Sequence, residues 1–89
     1  MIAWKLKQYI EKLNTELVSS FKVDSSRVKI QTDVPNLLLD VDTLIPIGLI
    51  INELLTNAFK YAFPNKEEGL INIRLFEEAG QLKLNFSDN

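Results

Sequence analysis

Eighty-nine residues allow one domain at most, and a chain this short buries a smaller share of its surface than a domain of ordinary length. The composition is that of a globular chain, 46% hydrophobic and 25% charged with a net charge of −2, so it excludes disorder and offers nucleic acid no basic footprint. Cysteine and histidine are both absent, which excludes disulfides, thiolate metal sites and imidazole acid–base chemistry.

The first predicted element is a helix over residues 2–21. Leu6, Ile10, Leu13, Leu17 and Phe21 recur at spacings of four and three and lay one apolar stripe along it. Lys5, Lys7, Glu11, Lys12 and Glu16 rule out a signal peptide or a membrane span in this stretch, so a cytoplasmic location is expected. Residues 27–31 alternate Val28 and Ile30 against Lys29 and Gln31, the pattern of a half-buried strand, and Pro35-Asn36 breaks it. A second short strand is expected at 37–39.

The next helix spans residues 44–63, rich in Leu, Ile and Ala, and Pro64-Asn65 stops it. Thr43 is the expected N-cap, which places Pro46 in the first turn, where its missing N–H has no intrahelical partner to lose. A polar loop over Asn65 to Gly69 follows. Residues 70–76 and 82–87 then alternate as the two strands of an antiparallel hairpin, with Ile71, Ile73 and Leu75 on one face of the first and Leu82, Leu84 and Phe86 on one face of the second. The expected fold is α+β, with helices packed on one face of a mainly antiparallel sheet.

Two features do not fit a plain core-and-surface pattern. On an ideal wheel at about 100° per residue, Glu53, Asn57 and Lys60 of the second helix fall within roughly 60° of one another, with Tyr61 just beyond and the apolar residues opposite. This stripe is either a solvated helix face or a ligand site. Asn in mid-helix is a poor helix former, costing several tenths of a kcal/mol relative to Ala. An anionic, metal-bound ligand would use all three groups, because the Asn carbonyl and Glu carboxylate are hard oxygen ligands suited to Mg²⁺ and the Lys ammonium suits phosphate. The second feature is Asp88, which shares the parity of Leu82, Leu84 and Phe86. Either the strand has ended by Ser87, or Asp88 accepts a hydrogen bond from a donor that enters between sheet and helix, as the exocyclic amine of adenine would.

The run Asn52-Glu53-Leu54-Leu55-Thr56-Asn57-Ala58-Phe59-Lys60-Tyr61-Ala62-Phe63-Pro64 resembles the N box of the ATP-binding catalytic domains of two-component sensor histidine kinases. It is most similar to the branch that carries Glu four residues before the metal-binding Asn. Ser87-Asp88-Asn89 resembles the opening of the G1 box, and the resemblance runs from about Tyr9 to Asn89. It implies a Bergerat-type α/β sandwich that binds ATP with Mg²⁺. By the same resemblance Asn57 ligates Mg²⁺, Glu53 holds or orients water near the metal and phosphates, Lys60 contacts phosphate, Tyr61 flanks the nucleotide and Asp88 bonds the adenine amine.

The implied reaction is transfer of the γ-phosphoryl group to a histidine on a separate dimerisation segment, and from there to a response regulator. Positioning and charge neutralisation carry such chemistry. With no histidine here, the phosphoacceptor is expected on a segment outside these residues, and the chain is expected to stop inside the nucleotide site and to be inactive alone. Uncovered apolar area on Ile71, Ile73, Leu82 and Phe86 is then expected to favour a homodimer through the sheet face or an exposed edge. Two alternatives stay open: another Bergerat-fold protein, either a gyrase-like ATPase with Glu53 as general base or an anti-sigma-type serine kinase, and a plain interaction module.

Overall fold

The computed structural model describes residues 2–62 and 68–89. The expected end of the second helix at Phe63, Pro64 and Asn65, and most of the polar loop after it, lie outside the described residues.

The chain opens with a strand, β1 (Ala3–Lys5), where the sequence pattern predicts helix. Ala3, Trp4 and Lys5 pair antiparallel with Asp40, Leu39 and Leu38 of β3 (Leu38–Asp40), a contact between distant residues to which helical periodicity is blind. Helix α1 therefore begins at Leu6 and runs to Ser20. Its stripe does what the spacing predicts: Leu6 and Ile10 are fully buried, and Leu13 and Leu17 pack against the same core. The helix ends as Lys22 turns into the left-handed region at φ 53° and the Val23 N–H reaches back to the Val18 carbonyl at 3.0 Å.

The turn into β2 (Val28–Asp33) is organised by Asp24. Its carboxylate accepts from the Ser26 hydroxyl at 2.6 Å and the Ser26 N–H at 2.9 Å, while its carbonyl accepts from the N–H groups of Arg27 and Val28. The hydroxyl bond, then the N–H bond, with Arg27 nearby, hold the Asp24 carboxyl below its usual value. A carboxyl held low stabilises the fold only while ionised, so the contribution of this turn is present at neutral pH and is lost as pH falls through the depressed value.

Helix α2 (Val41–Asn57) starts earlier than the expected Thr43 cap. Asp40 is the N-cap, its Oδ1 accepting from the Thr43 N–H at 2.8 Å, and such a cap contributes about 1 kcal/mol. Pro46 consequently sits one turn deeper than predicted, and the Asp42 carbonyl receives no proline N–H. The reason for the shift is β3, which delivers the chain in extended form up to Asp40 and makes that residue the first able to cap. A π-helical turn, Ala58–Ala62, continues α2. The stretch Val41–Tyr61 is long and apolar enough to cross a membrane, yet its Leu44, Ile51 and Leu55 are fully buried in the core shared with α1 and the sheet.

The three-stranded sheet has the order β2-β4-β5, with β4 (Gly69–Glu78) parallel to β2 and antiparallel to β5 (Gln81–Asp88). The hairpin strands run longer than the sequence pattern implies, so the connection shrinks to Ala79-Gly80, both at positive φ, as a two-residue hairpin turn requires. Ile71, Ile73 and Leu75 of β4 are buried in one cluster with the buried residues of both helices. The fold is α+β, with the helices packed on one sheet face. This corrects the premise of the sheet-face homodimer: Ile71 and Ile73 are 0% and 1% exposed, and Leu82 and Phe86 are half-buried.

The two helices meet where Gly48 faces Tyr9. A Cβ at Gly48 would collide with the Tyr9 hydroxyl and ring. Gly48→Ala must push the end of the Tyr9 side chain aside while gaining about 1 kcal/mol of helix propensity, so it is expected to destabilise the chain by no more than about 2 kcal/mol in urea unfolding, and to become stabilising in a Tyr9→Ala background, where the space is free.

Candidate functional site

The apolar side of α2 is used up by packing, with Leu44, Gly48, Ile51 and Leu55 buried and Ala58 joining them from the π turn. That fixes the rotation of the helix and leaves Glu53 and Asn57, one turn apart, exposed on the other side. Neither makes a side-chain hydrogen bond or ion pair among the described residues. Lys60 and Tyr61 are also exposed, Tyr61 at 75%, and both stand in the π turn. There the backbone bonds run i to i+5, so the spacing from Asn57 to Lys60 departs from the ideal wheel on which the stripe is drawn. Single π turns are rare and recur at functional sites, and nothing in the run Ala58-Phe59-Lys60 announces one.

Asp88 ends β5 directly opposite Ile71 in the ladder. Opposed residues of an antiparallel pair point to the same side of a sheet, so Asp88 lies on the helix-facing side, as its parity predicts. The strand does not end before it: β5 includes Asp88, and Asn89 exchanges two backbone hydrogen bonds with Leu70, at 2.9 and 3.0 Å. Asp88 is nevertheless exposed, and its carboxylate has no partner among the described residues. The structure thus sets Glu53, Asn57, Lys60 and Tyr61 along one helix and Asp88 on a separate strand, with no direct bond between the two sets among the described residues.

The donor set fits a phosphate-bound magnesium ion. Glu53 and Asn57 offer exposed hard oxygens, and no cluster of three His, Cys, Asp or Glu side chains exists among the described residues. Mg²⁺ is suited to such a place, since it takes one or two protein oxygens and completes its octahedron with water and phosphate oxygens.

Solved structures share this architecture. The histidine kinase domain of the blue-light activated histidine kinase of Erythrobacter litoralis EL346 matches with a TM-score of 0.80 at 24% identity, over 94% of this chain and 38% of that one. The fold is that of part of a histidine kinase domain. A second structure of the same Erythrobacter kinase matches the histidine kinase fold of this chain with a TM-score of 0.82, also at 24% identity, over 94% of this chain and 26% of its own. By sequence, the anti-sigma F factors of two Clostridium botulinum strains, Alaska E43 and Eklund 17B, are each 27% identical over 82 residues, 91% of this chain. The chain spans 57% of the length of these relatives. No family model matches the sequence.

Proposed function

We propose that this chain carries Mg²⁺·ATP-binding residues of a protein histidine kinase of two-component signalling. The observation that carries the reading is the exposed, unpartnered pair Glu53 and Asn57 on the solvent side of α2, followed by Lys60, within a histidine kinase fold. Asn57 ligates the ion through its amide oxygen, Glu53 orients a water in its shell, and Lys60 neutralises phosphate charge. Tyr61 flanks the nucleotide, and Asp88 accepts a hydrogen bond from the adenine amine. The magnesium ion supplies charge neutralisation on the phosphates, and the side chains contribute position and field.

The acceptor histidine belongs to a dimerisation segment outside these residues, because the chain has none, and a response regulator takes the phosphoryl group next, in the cytoplasm. With Asp88 exposed, nucleotide is expected to bind these residues weakly. A second reading is favoured by the named sequence relatives: an anti-sigma-type protein kinase that phosphorylates serine. Phosphate linkage separates the two. When the whole gene product is incubated with γ-labelled ATP, the histidine reading predicts label that is lost in acid and retained in alkali. Acid-stable label supports the serine reading, and release of inorganic phosphate without protein labelling contradicts both.

A further inference from the structure

We infer that the free edge of β2, with the groove between it and α1, accepts an extended peptide segment of a partner protein as an added strand. β2 is an outer strand of its sheet among the described residues. The Arg27 carbonyl accepts from the Gly69 N–H at 2.8 Å, which sets the phase of the parallel ladder: Lys29 and Gln31 turn their backbone groups toward β4. The N–H and C=O of Ile30 and Thr32 therefore face outward, a template for another strand. Edges of this kind are what β-augmentation uses.

The space beside that edge is already shaped. A groove of about 720 Å³ is bounded by Asn14, Thr15 and Val18 of α1 and by Val28, Ile30 and Thr32 of β2. The three β2 residues are all half-buried on the helix-facing side, so an added strand would lay its alternate side chains on Val18 and Thr15. The Asn14 Oδ1 is buried and accepts no hydrogen bond among the described residues, which leaves one acceptor in the groove waiting for a donor.

Length and charge select the occupant. The outward backbone groups belong to Ile30 and Thr32 of a six-residue strand about 20 Å long, which a short extended peptide matches along its whole length. Glu11 and Lys29 line the groove with one charge of each sign, which favours an uncharged segment. The site is independent of the nucleotide reading, since it lies on α1 and β2 and uses none of Glu53, Asn57, Lys60, Tyr61 or Asp88.

The test is an amide NMR titration of the chain with a short capped peptide of alternating valine and threonine, flanked by lysines for solubility. Shifts centred on Ile30, Thr32 and the Asn14 side-chain amide are expected, together with slowed hydrogen exchange of the Ile30 and Thr32 amides. Thr32→Pro removes an outward N–H and leaves the β4 ladder whole, and is expected to weaken the peptide about tenfold. Asn14→Leu is expected to weaken it as well, and decides the matter if Thr32→Pro fails to fold. No binding at millimolar peptide, shifts centred on β5 instead, or equal affinity in the folded variants would overturn the proposal.

Discussion

Replacing Leu55 by alanine is expected to cost about 2–5 kcal/mol of stability, the largest structural effect of any single substitution proposed for this chain. Leu55 is 0% exposed and belongs to the buried cluster that α2 shares with Leu6 and Ile10 of α1 and with Ile71 and Ile73 of β4. A chain of 89 residues, at about 0.05–0.15 kcal/mol per residue, has a total stability of about 4–13 kcal/mol, so the loss takes a large share of it. At about 4–8 °C per kcal/mol, the midpoint of thermal unfolding should fall by about 8 °C or more. Leu49, on the same helix but 64% exposed, is the control: Leu49→Ala should move stability by no more than about 0.5 kcal/mol. Equal losses at both positions in urea unfolding would mean that α2 is rotated from the orientation described.

The second large effect is on ligand choice. If the Asp88 carboxylate accepts the adenine amine, the chain should prefer ATP to ITP, whose purine carries an oxygen where adenine carries the amine. Asp88→Asn should weaken ATP by about tenfold and erase the preference, since a hydrogen bond to a charged acceptor contributes about 1.5–3 kcal/mol. Asp88 is exposed and unpartnered among the described residues, so folding stability should be unchanged. Competition binding with the two nucleotides checks this, and an unaltered ATP-to-ITP ratio in the variant would remove Asp88 from the site.

Much of this architecture can be read from side-chain periodicity, because burial on one face leaves a periodic trace. The α1 stripe from Leu6 to Leu17 and the alternation of Ile71, Ile73 and Leu75 are of this kind, and each lands on the core. The solvent side of α2 was legible for the same reason: once Ile51, Leu55 and Ala58 are assigned inward, Glu53 and Asn57 can only face out. What periodicity misses is set by contacts between distant residues. Trp4 continues the helical look of its neighbours but is drawn into β1 by pairing with Leu39, and the same strand pair moves the α2 cap from Thr43 to Asp40. The π turn at Ala58–Ala62 has no local signature, so the placement of Lys60 and Tyr61 relative to Asn57 could not be derived from an ideal wheel. The parallel register of β2 against β4 depends on a crossover through β3 and α2, which strand alternation does not encode.

The claim that Glu53, Asn57, Lys60 and Asp88 mark a magnesium–nucleotide site is tested most directly by titrating ADP, with and without Mg²⁺, into the chain and its Asn57→Ala variant while following backbone amides by NMR. Weak, magnesium-dependent shifts are expected, confined to the solvent side of α2, the π turn and the end of β5, and lost in Asn57→Ala without any change in fold. Amides at those positions that stay still at saturating nucleotide, or a variant that binds as well as the parent, would contradict it.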